Sequence, residues 1–443
     1  MRLGYFNSEI RTFLDGVKYS FLVNIASMAM LYLSQLILAR FMKVDQYGVY
    51  VYSMSWLNIL LLFSTLGFEV AVLRYIPQYV SRGEWGNCWG IIKRSYQISL
   101  LAAFVLLLGT WIFVIANYNH LSEDFRNTLA IGVGALPLWV AIKLMQGVLQ
   151  AFKRPGMSQL LDGVLSPLLL LSLLGLVMAL NIPASAATVM AIFAGSCFMV
   201  LLFGVVWLRS YVFPLPLKTA AADYKTREWL MFSVPMLMIV GTHVIMNNAD
   251  VVMIGYIRNP AQAGIYSAAA RVAALVSVAL AFVNMVLVPY ISEYYYNERR
   301  EDLQNFISLS ARIVALFSVP IFLVLTIYGK HILGLFGEEF KYGYYSLLIL
   351  SAGQLVNALS GSVGYIMILT GKQKQAAYVL GGSAALNILL NLLLIPDYGI
   401  EGAALATALT LILWNVALAI YIKRTTNLSS TVFFSSVKEI KSR

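Results

Sequence analysis

Charge is what this 443-residue chain has least of. Only 12% of its residues are Asp, Glu, Lys or Arg, against roughly 25% in soluble domains, and the mean hydropathy is +0.78. Such a shortage excludes a water-soluble globule. Cysteine is also scarce. The two present, Cys88 and Cys197, have no paired spacing and give neither a disulfide framework nor a metal site. No Gly-rich loop is followed by Lys-Ser/Thr, so the chain does not hydrolyse ATP. The connections between apolar runs reach only about 20 residues and hold no acidic cluster, which argues against a membrane transferase or polymerase with a metal centre. The chain is expected not to be an enzyme. No re-entrant, filter-like segment speaks for a channel. The N-terminal region has no small-residue cleavage site after a short apolar core, so its first hydrophobic run reads as a retained span.

What is present is apolar sequence in long runs, 60% of the whole. Twelve stretches are long enough to cross a bilayer: 19–39, 49–73, 96–116, 128–151, 160–180, 186–208, 230–256, 263–290, 307–328, 343–370, 376–396 and 402–422. Lipid cannot satisfy backbone N–H and C=O groups, and these runs are about twice the length of a barrel strand, so each is expected to be a helix. The fold class is all-α integral membrane.

Basic residues give the orientation. With the N-terminus inside, the inner segments hold 22 Lys and Arg, among them Arg2, Arg11, Lys18, Lys218, Lys438, Lys441 and Arg443, against 6 in the outer loops. Both termini are therefore expected in the cytoplasm of a bacterial or archaeal cell, with the chain multi-pass in its plasma membrane. The net charge of +11 is what inner loops facing anionic lipid require and carries no implication of nucleic acid.

The chain repeats itself. Gly48 and Tyr50 match Gly264 and Tyr266 at an offset of 216, Lys153 pairs with Lys372 at 219, and Pro77 with Pro289 at 212. Similar offsets at three places predict a six-helix lobe over 1–210, a cytoplasmic linker over 211–229, a second six-helix lobe over 230–422 and a cytoplasmic tail over 423–443. Six is even, so the lobes enter the membrane in the same direction as a parallel repeat. A cleft between such lobes opens to one side and then the other.

Polar residues inside spans are where function is expected, because a charge at the bilayer centre costs about 2.5–3.5 kcal/mol and needs a partner or water. Lys143, Gln146 and Gln150 fall on one face of the fourth helix, and His243, Asn247 and Asp250 on one face of the seventh. For Asp250 the bland reading is an ion pair with Arg271 across a hairpin; for His243 it is an interhelical hydrogen bond rather than a proton relay. Lys143 has no acidic residue at similar depth in its own or a neighbouring span, and an unpaired cation of this kind suits an anionic ligand. Glu69, near the inner end of span two, reads as reaching the interface. Asn387, Asn391 and the other intramembrane amides read as interhelical hydrogen bonds.

Several stretches together carry a family resemblance. Ala39-Arg40-Phe41, Tyr47-Gly48-Val49-Tyr50, Leu66-Gly67-Phe68, Arg74-Tyr75-Ile76-Pro77, Asn247-Asn248-Ala249-Asp250 and Gly264-Ile265-Tyr266-Ser267 resemble the polysaccharide exporters of the multidrug/oligosaccharidyl-lipid/polysaccharide (MOP) superfamily, and more narrowly the Wzx-type O-antigen flippases. The resemblance covers nearly the whole chain. It implies a MATE-like V-shaped cavity between two lobes, and passage of an undecaprenyl-diphosphate-linked oligosaccharide from the cytoplasmic to the outer leaflet by alternating access. It also implies a polysaccharide polymerase and a chain-length regulator as neighbours. On this reading Lys143, Arg271, Arg40 and Arg74 attract the diphosphate. His243, Asn247, Asp250, Gln146 and Gln150 supply polar cavity or coupling groups, and no cofactor is expected beyond a coupling Na⁺ or H⁺. The alternative is a cation-coupled multidrug antiporter of the same superfamily, which needs acidic residues deep in its cavity.

Overall fold

A computed structural model describes residues 2–213 and 215–431 of the chain, and every regular element in them is helical. Of the basic residues that set the expected orientation, Lys438, Lys441 and Arg443 lie outside the described residues, as do the side chains of Arg2, Arg11, Lys18 and Lys218. The helices are α1 (Arg2–Thr65), α2 (Phe68–Arg82), α3 (Trp85–Ala116), α4 (Glu123–Ala151), α5 (Pro155–Gln159), α6 (Ser166–Ala179), α7 (Ala186–Trp207), α8 (Leu215–Thr219), α9 (Thr226–Ile257), α10 (Pro260–Ala274), α11 (Val278–Tyr296), α12 (Arg300–Gly334), α13 (Tyr344–Ser360), α14 (Val363–Leu369) and α15 (Gln373–Thr426). A π-helical stretch, Leu160–Leu165, joins α5 to α6. Among the described residues nine helical segments are long and apolar enough to cross a membrane, or ten if the bent pair α13–α14 is one span.

Two of these segments are far longer than a bilayer needs, and each is interrupted. In α1 the backbone leaves helical geometry at Lys43 (φ 61°, ψ 165°). Tyr47 Oη donates to Gln35 Oε1 at 3.2 Å, although residues twelve apart in a straight helix stand about 18 Å apart along the axis. In α15 the break is Gly399 (φ 56°, ψ −131°), three residues after Pro396. Asn387 Nδ2 donates to Thr407 Oγ1 at 3.1 Å, twenty residues on, where a straight helix would hold them about 30 Å apart. Each is a hairpin whose turn is a residue or two. Arg258 closes the second turn, donating to the carbonyls of Ile395 at 3.1 Å and Pro396 at 2.5 Å that the break leaves without helical partners.

Two expected spans are not single rods. The run 49–73 is cut at Leu66 and Gly67 (φ 51° and 75°), so that α2 starts afresh at Phe68; the run 343–370 bends by 41° at Gly361 and Ser362. Apolarity measures how much chain lipid will accept and is blind to a positive-φ residue within it.

The chain divides into two compact units, Met1–Val244 and Ile245–Arg443. In the first, α4 is central: 67% of its apolar window is buried, against 17% for α3. Small residues admit its neighbours. Gly132 meets Leu57 and Met190, and Gly147 meets Val72 and the backbone of Glu69. The outward face of α3 presents Leu101, Phe104, Leu108, Ile112 and Ile115 at helical spacing, all exposed; a stripe of this kind is a lipid face. The polar segment before α9 is held against this unit. Asp223 N donates to Gly86 O at 2.9 Å, Lys225 pairs with Glu84 at 3.7 Å, and the buried Trp229 donates through Nε1 to Tyr79 Oη at 2.9 Å. Gly90 lies so close beneath the Asp223 carbonyl that a Cβ there would overlap it. Gly90→Val is therefore expected to push the segment off α3 at a cost of about 1–3 kcal/mol, read as a lower melting temperature in detergent. An unchanged melting temperature would show that this contact holds nothing.

In the second unit an apolar cluster of Leu287, Ile291, Leu303, Ile307, Ile366 and Leu418 joins α11, α12, α14 and α15. Buried Asn387 and Asn391 gather around Asp250, while buried Gln304 and Ser308 pair on α12.

Candidate functional site

Among the described residues, an interior charge cluster stands in each unit. In the first, Lys143 Nζ lies 2.7 Å from Asp162 Oδ2 and donates to Gln146 Oε1 at 3.2 Å. The expectation that Lys143 lacks an acidic partner is therefore corrected. The fifth span begins at Pro155 rather than at 160, so Asp162 is two turns inside it, level with a lysine two turns before the end of α4. The π-helical stretch carries Asp162 and so fixes the direction of its side chain. Gln150, one turn further on, donates to Ser158 Oγ at 3.0 Å. The polar stripe of α4 thus faces the start of the fifth span. The ion pair is not sealed: the two side chains keep 30% and 42% of their surface accessible, which leaves the lysine open to a second anion.

Glu69 stands close by, its backbone against Gly147. Its Oε2 is buried with no described hydrogen-bond partner. Arg74 is exposed on α2, with its guanidinium 4.3 Å from the centre of the Phe232 ring and 5.5 Å from that of Tyr75. Cation–π contacts of this kind orient the group and leave its hydrogen-bond donors available. Arg40 is exposed on α1, three residues before the break.

In the second unit Asp250 is only 4% exposed, and its carboxylate is held by neighbours. It accepts hydrogen bonds from Tyr266 Oη, from Thr407 Oγ1 at 2.5 Å and from Asn391 Nδ2 at 2.7 Å. Asn391 Nδ2 also donates to Asn387 Oδ1 at 3.1 Å, and Asn391 Oδ1 is buried without a described partner. Among the described residues the hydrogen-bond partners of Asp250 are all neutral groups, and the expected pairing with Arg271 is not among them; Arg271 is exposed. Depth explains the difference. Asp250 is seven residues before the end of α9 and Tyr266 six after the start of α10, whereas Arg271 is eleven after it. The tyrosine, not the arginine, arrives at the carboxylate.

The stripe His243, Asn247, Asp250 does not share one environment, since His243 and Asn247 are exposed while Asp250 is buried. A buried carboxylate among neutral donors, beside an unpartnered amide oxygen, is electrically unbalanced until a proton or a monovalent cation joins it. Of the residues that build the two clusters, Asp162 and Thr407 were not singled out from the sequence, and Tyr266 entered only through the repeat and the family resemblance, not as a site residue. An acid inside a span was the available signal for Asp162, and Asn387 and Asn391 at i, i+4 mark the face of α15 that meets Asp250. Nothing local marks Thr407.

Comparison with known proteins adds the following. The family model described as "Polysaccharide biosynthesis protein" matches residues 13–295, and the MatE model matches residues 235–393. A curated relative, the probable low-salt glycan biosynthesis flippase Agl15 of Haloferax volcanii, is 24% identical over 91% of this chain and 82% of its own. Among solved structures, a multidrug resistance MATE family transporter of the MOP superfamily, in an inward-facing conformation, superposes with a TM-score of 0.77 at 10% identity, covering 90% of this chain and 94% of that one. The lipid II flippase MurJ, in an inward closed conformation, gives 0.72 at 13% identity, over 91% and 87%.

Proposed function

Because the chain belongs to the polysaccharide biosynthesis protein family, we propose that it is a flippase of the plasma membrane that moves a lipid-linked oligosaccharide from the cytoplasmic to the outer leaflet. The family match over residues 13–295 carries the reading. Twelve spans follow if the nine long segments are counted with α1 and α15 each as two and the bent pair α13–α14 as one. An even number returns the C-terminus to the side of the N-terminus, and the 22 basic residues assigned to that side make it the cytoplasm. The chain then acts as a transporter with no bond made or broken.

The substrate proposed is an oligosaccharide on a polyprenyl phosphate or diphosphate such as undecaprenyl diphosphate, moved by alternating access of two lobes. Lys143, held in place by Asp162 yet partly accessible, is the cation proposed to meet the phosphate, with Arg74, Arg40 and Arg271 as further attracting charges. The work is proposed to come from Na⁺ or H⁺ taken up at Asp250. A polymerase and a chain-length regulator are proposed neighbours, and co-purification with them is the check. In a host deleted for its own flippase, the chain is expected to restore surface polysaccharide and to clear the accumulated lipid-linked oligosaccharide. Failure with every repeat unit tried would overturn the proposal.

A second reading, the cation-coupled multidrug antiporter, is favoured by one observation: Glu69, Asp162 and Asp250 place carboxylates inside both units. Resistance to cationic dyes on expression, without any rescue of surface polymer, would decide for it.

A further inference from the structure

The chain does not leave the second unit where α15 ends. Asn427 takes a left-handed conformation (φ 56°) and turns the backbone aside, and the next residues run back among α11, α12 and α14. Leu428, 2% exposed, joins the apolar cluster of Leu287, Ile291 and Ile307. The side-chain amide of Gln304 then grips both backbone groups of Ser429. Gln304 Nε2 donates to Ser429 O at 2.9 Å, and Ser429 N donates to Gln304 Oε1 at 2.7 Å. This is the pairing that one extended strand gives another, and it recognises backbone rather than side chain.

The tail then reaches the break in the tenth expected span. A Cβ on Gly361 would stand 2.5 Å from the carbonyl oxygen of Ser430, and Gly361 is also the positive-φ residue (71°) between α13 and α14. Glycine is needed there for the turn and for the approach of the tail. The bend and the seated tail therefore support each other.

The seat leaves polar groups unmet. Ser430 Oγ and Thr431 Oγ1 are buried without described partners. A permanent core pairs such hydroxyls. We propose that Leu428–Ser430 is a releasable latch on the broken span: seated, it holds α13 and α14 bent, and released, it lets them straighten.

The test needs no substrate. With Cys88→Ala and Cys197→Ala as background, spin labels at Leu309→Cys on α12 and Ile368→Cys on α14, both exposed positions, report the bend as a distance. α14 has 7 residues, about 10 Å at 1.5 Å per residue, so undoing a 41° bend moves its end by about 7 Å. The full chain is expected to show one distance. Gln304→Leu, which keeps the volume and removes both backbone bonds, is expected to add a second population several ångströms away, and a chain ending at Thr426 to move most molecules into it. If the truncated chain fails to fold, the Gln304→Leu arm decides alone. A single, unshifted distance in Gln304→Leu would reduce the tail to a static anchor and overturn the proposal.

Discussion

Asp250→Ala is expected to abolish translocation. The carboxylate is the shared acceptor for Tyr266, Thr407 and Asn391, contributed by α10 and by both halves of α15. Removing it orphans three buried donors at about 1–3 kcal/mol each, which together corresponds to roughly a hundredfold or more in any equilibrium that needs this arrangement. The informative variant is Asp250→Asn. Its amide keeps the volume, and the hydroxyls of Tyr266 and Thr407 rotate to accept as readily as they donate. Asp250→Asn is therefore expected to reach the membrane at the wild-type level yet translocate without dependence on Na⁺ or pH, slowly or not at all. Translocation by Asp250→Asn at the native rate, with the ion dependence intact, would remove Asp250 from coupling and leave it a packing residue.

The second large effect is expected at Lys143. Its ion pair with Asp162 leaves 30% and 42% of the two side chains accessible; where that surface meets water, the pair contributes only about 0–1 kcal/mol to stability. Lys143→Ala is expected to leave the amount of folded protein nearly unchanged while surface polysaccharide falls at least tenfold and lipid-linked oligosaccharide accumulates. The double variant Lys143→Ala/Asp162→Ala separates the two roles. If the lysine meets the phosphate, removing its partner as well restores nothing. If the pair is a structural clasp, the double variant recovers what each single variant loses, because no charge is then left uncompensated. Recovery in the double variant would sink the assignment of Lys143 to the substrate.

The local arithmetic of the chain was legible to different depths. The lipid face of α3 follows directly from Leu101, Phe104, Leu108, Ile112 and Ile115 at helical spacing. The face shared by Lys143, Gln146 and Gln150 was equally plain, and it meets one neighbour, the start of the fifth span. The identity of that neighbour was not. Asp162 lies 19 residues on from Lys143, and its depth depends on a helix that starts at Pro155, among residues too polar to count as membrane. The Asp250–Arg271 pairing failed for a similar reason, since counting along a hairpin is reliable only to a turn or two of helix, and about one and a half turns separate Tyr266 from Arg271.

Sequence by itself determined that this is a helical membrane protein. Sixty per cent apolar residues gathered in span-length runs leave no other solvent for it. It determined too which faces carry interior charge, because helical spacing is a property of the backbone and needs no partner. Tertiary structure alone decided what those charges touch. The donors on Asp250 come from 16, 141 and 157 residues away, and Gln304 holds a backbone 125 residues further along. Contacts across such separations are set by where helices break, at Lys43, Gly361 and Gly399, and by how small residues let them approach. Neither is written in the hydropathy of any single span.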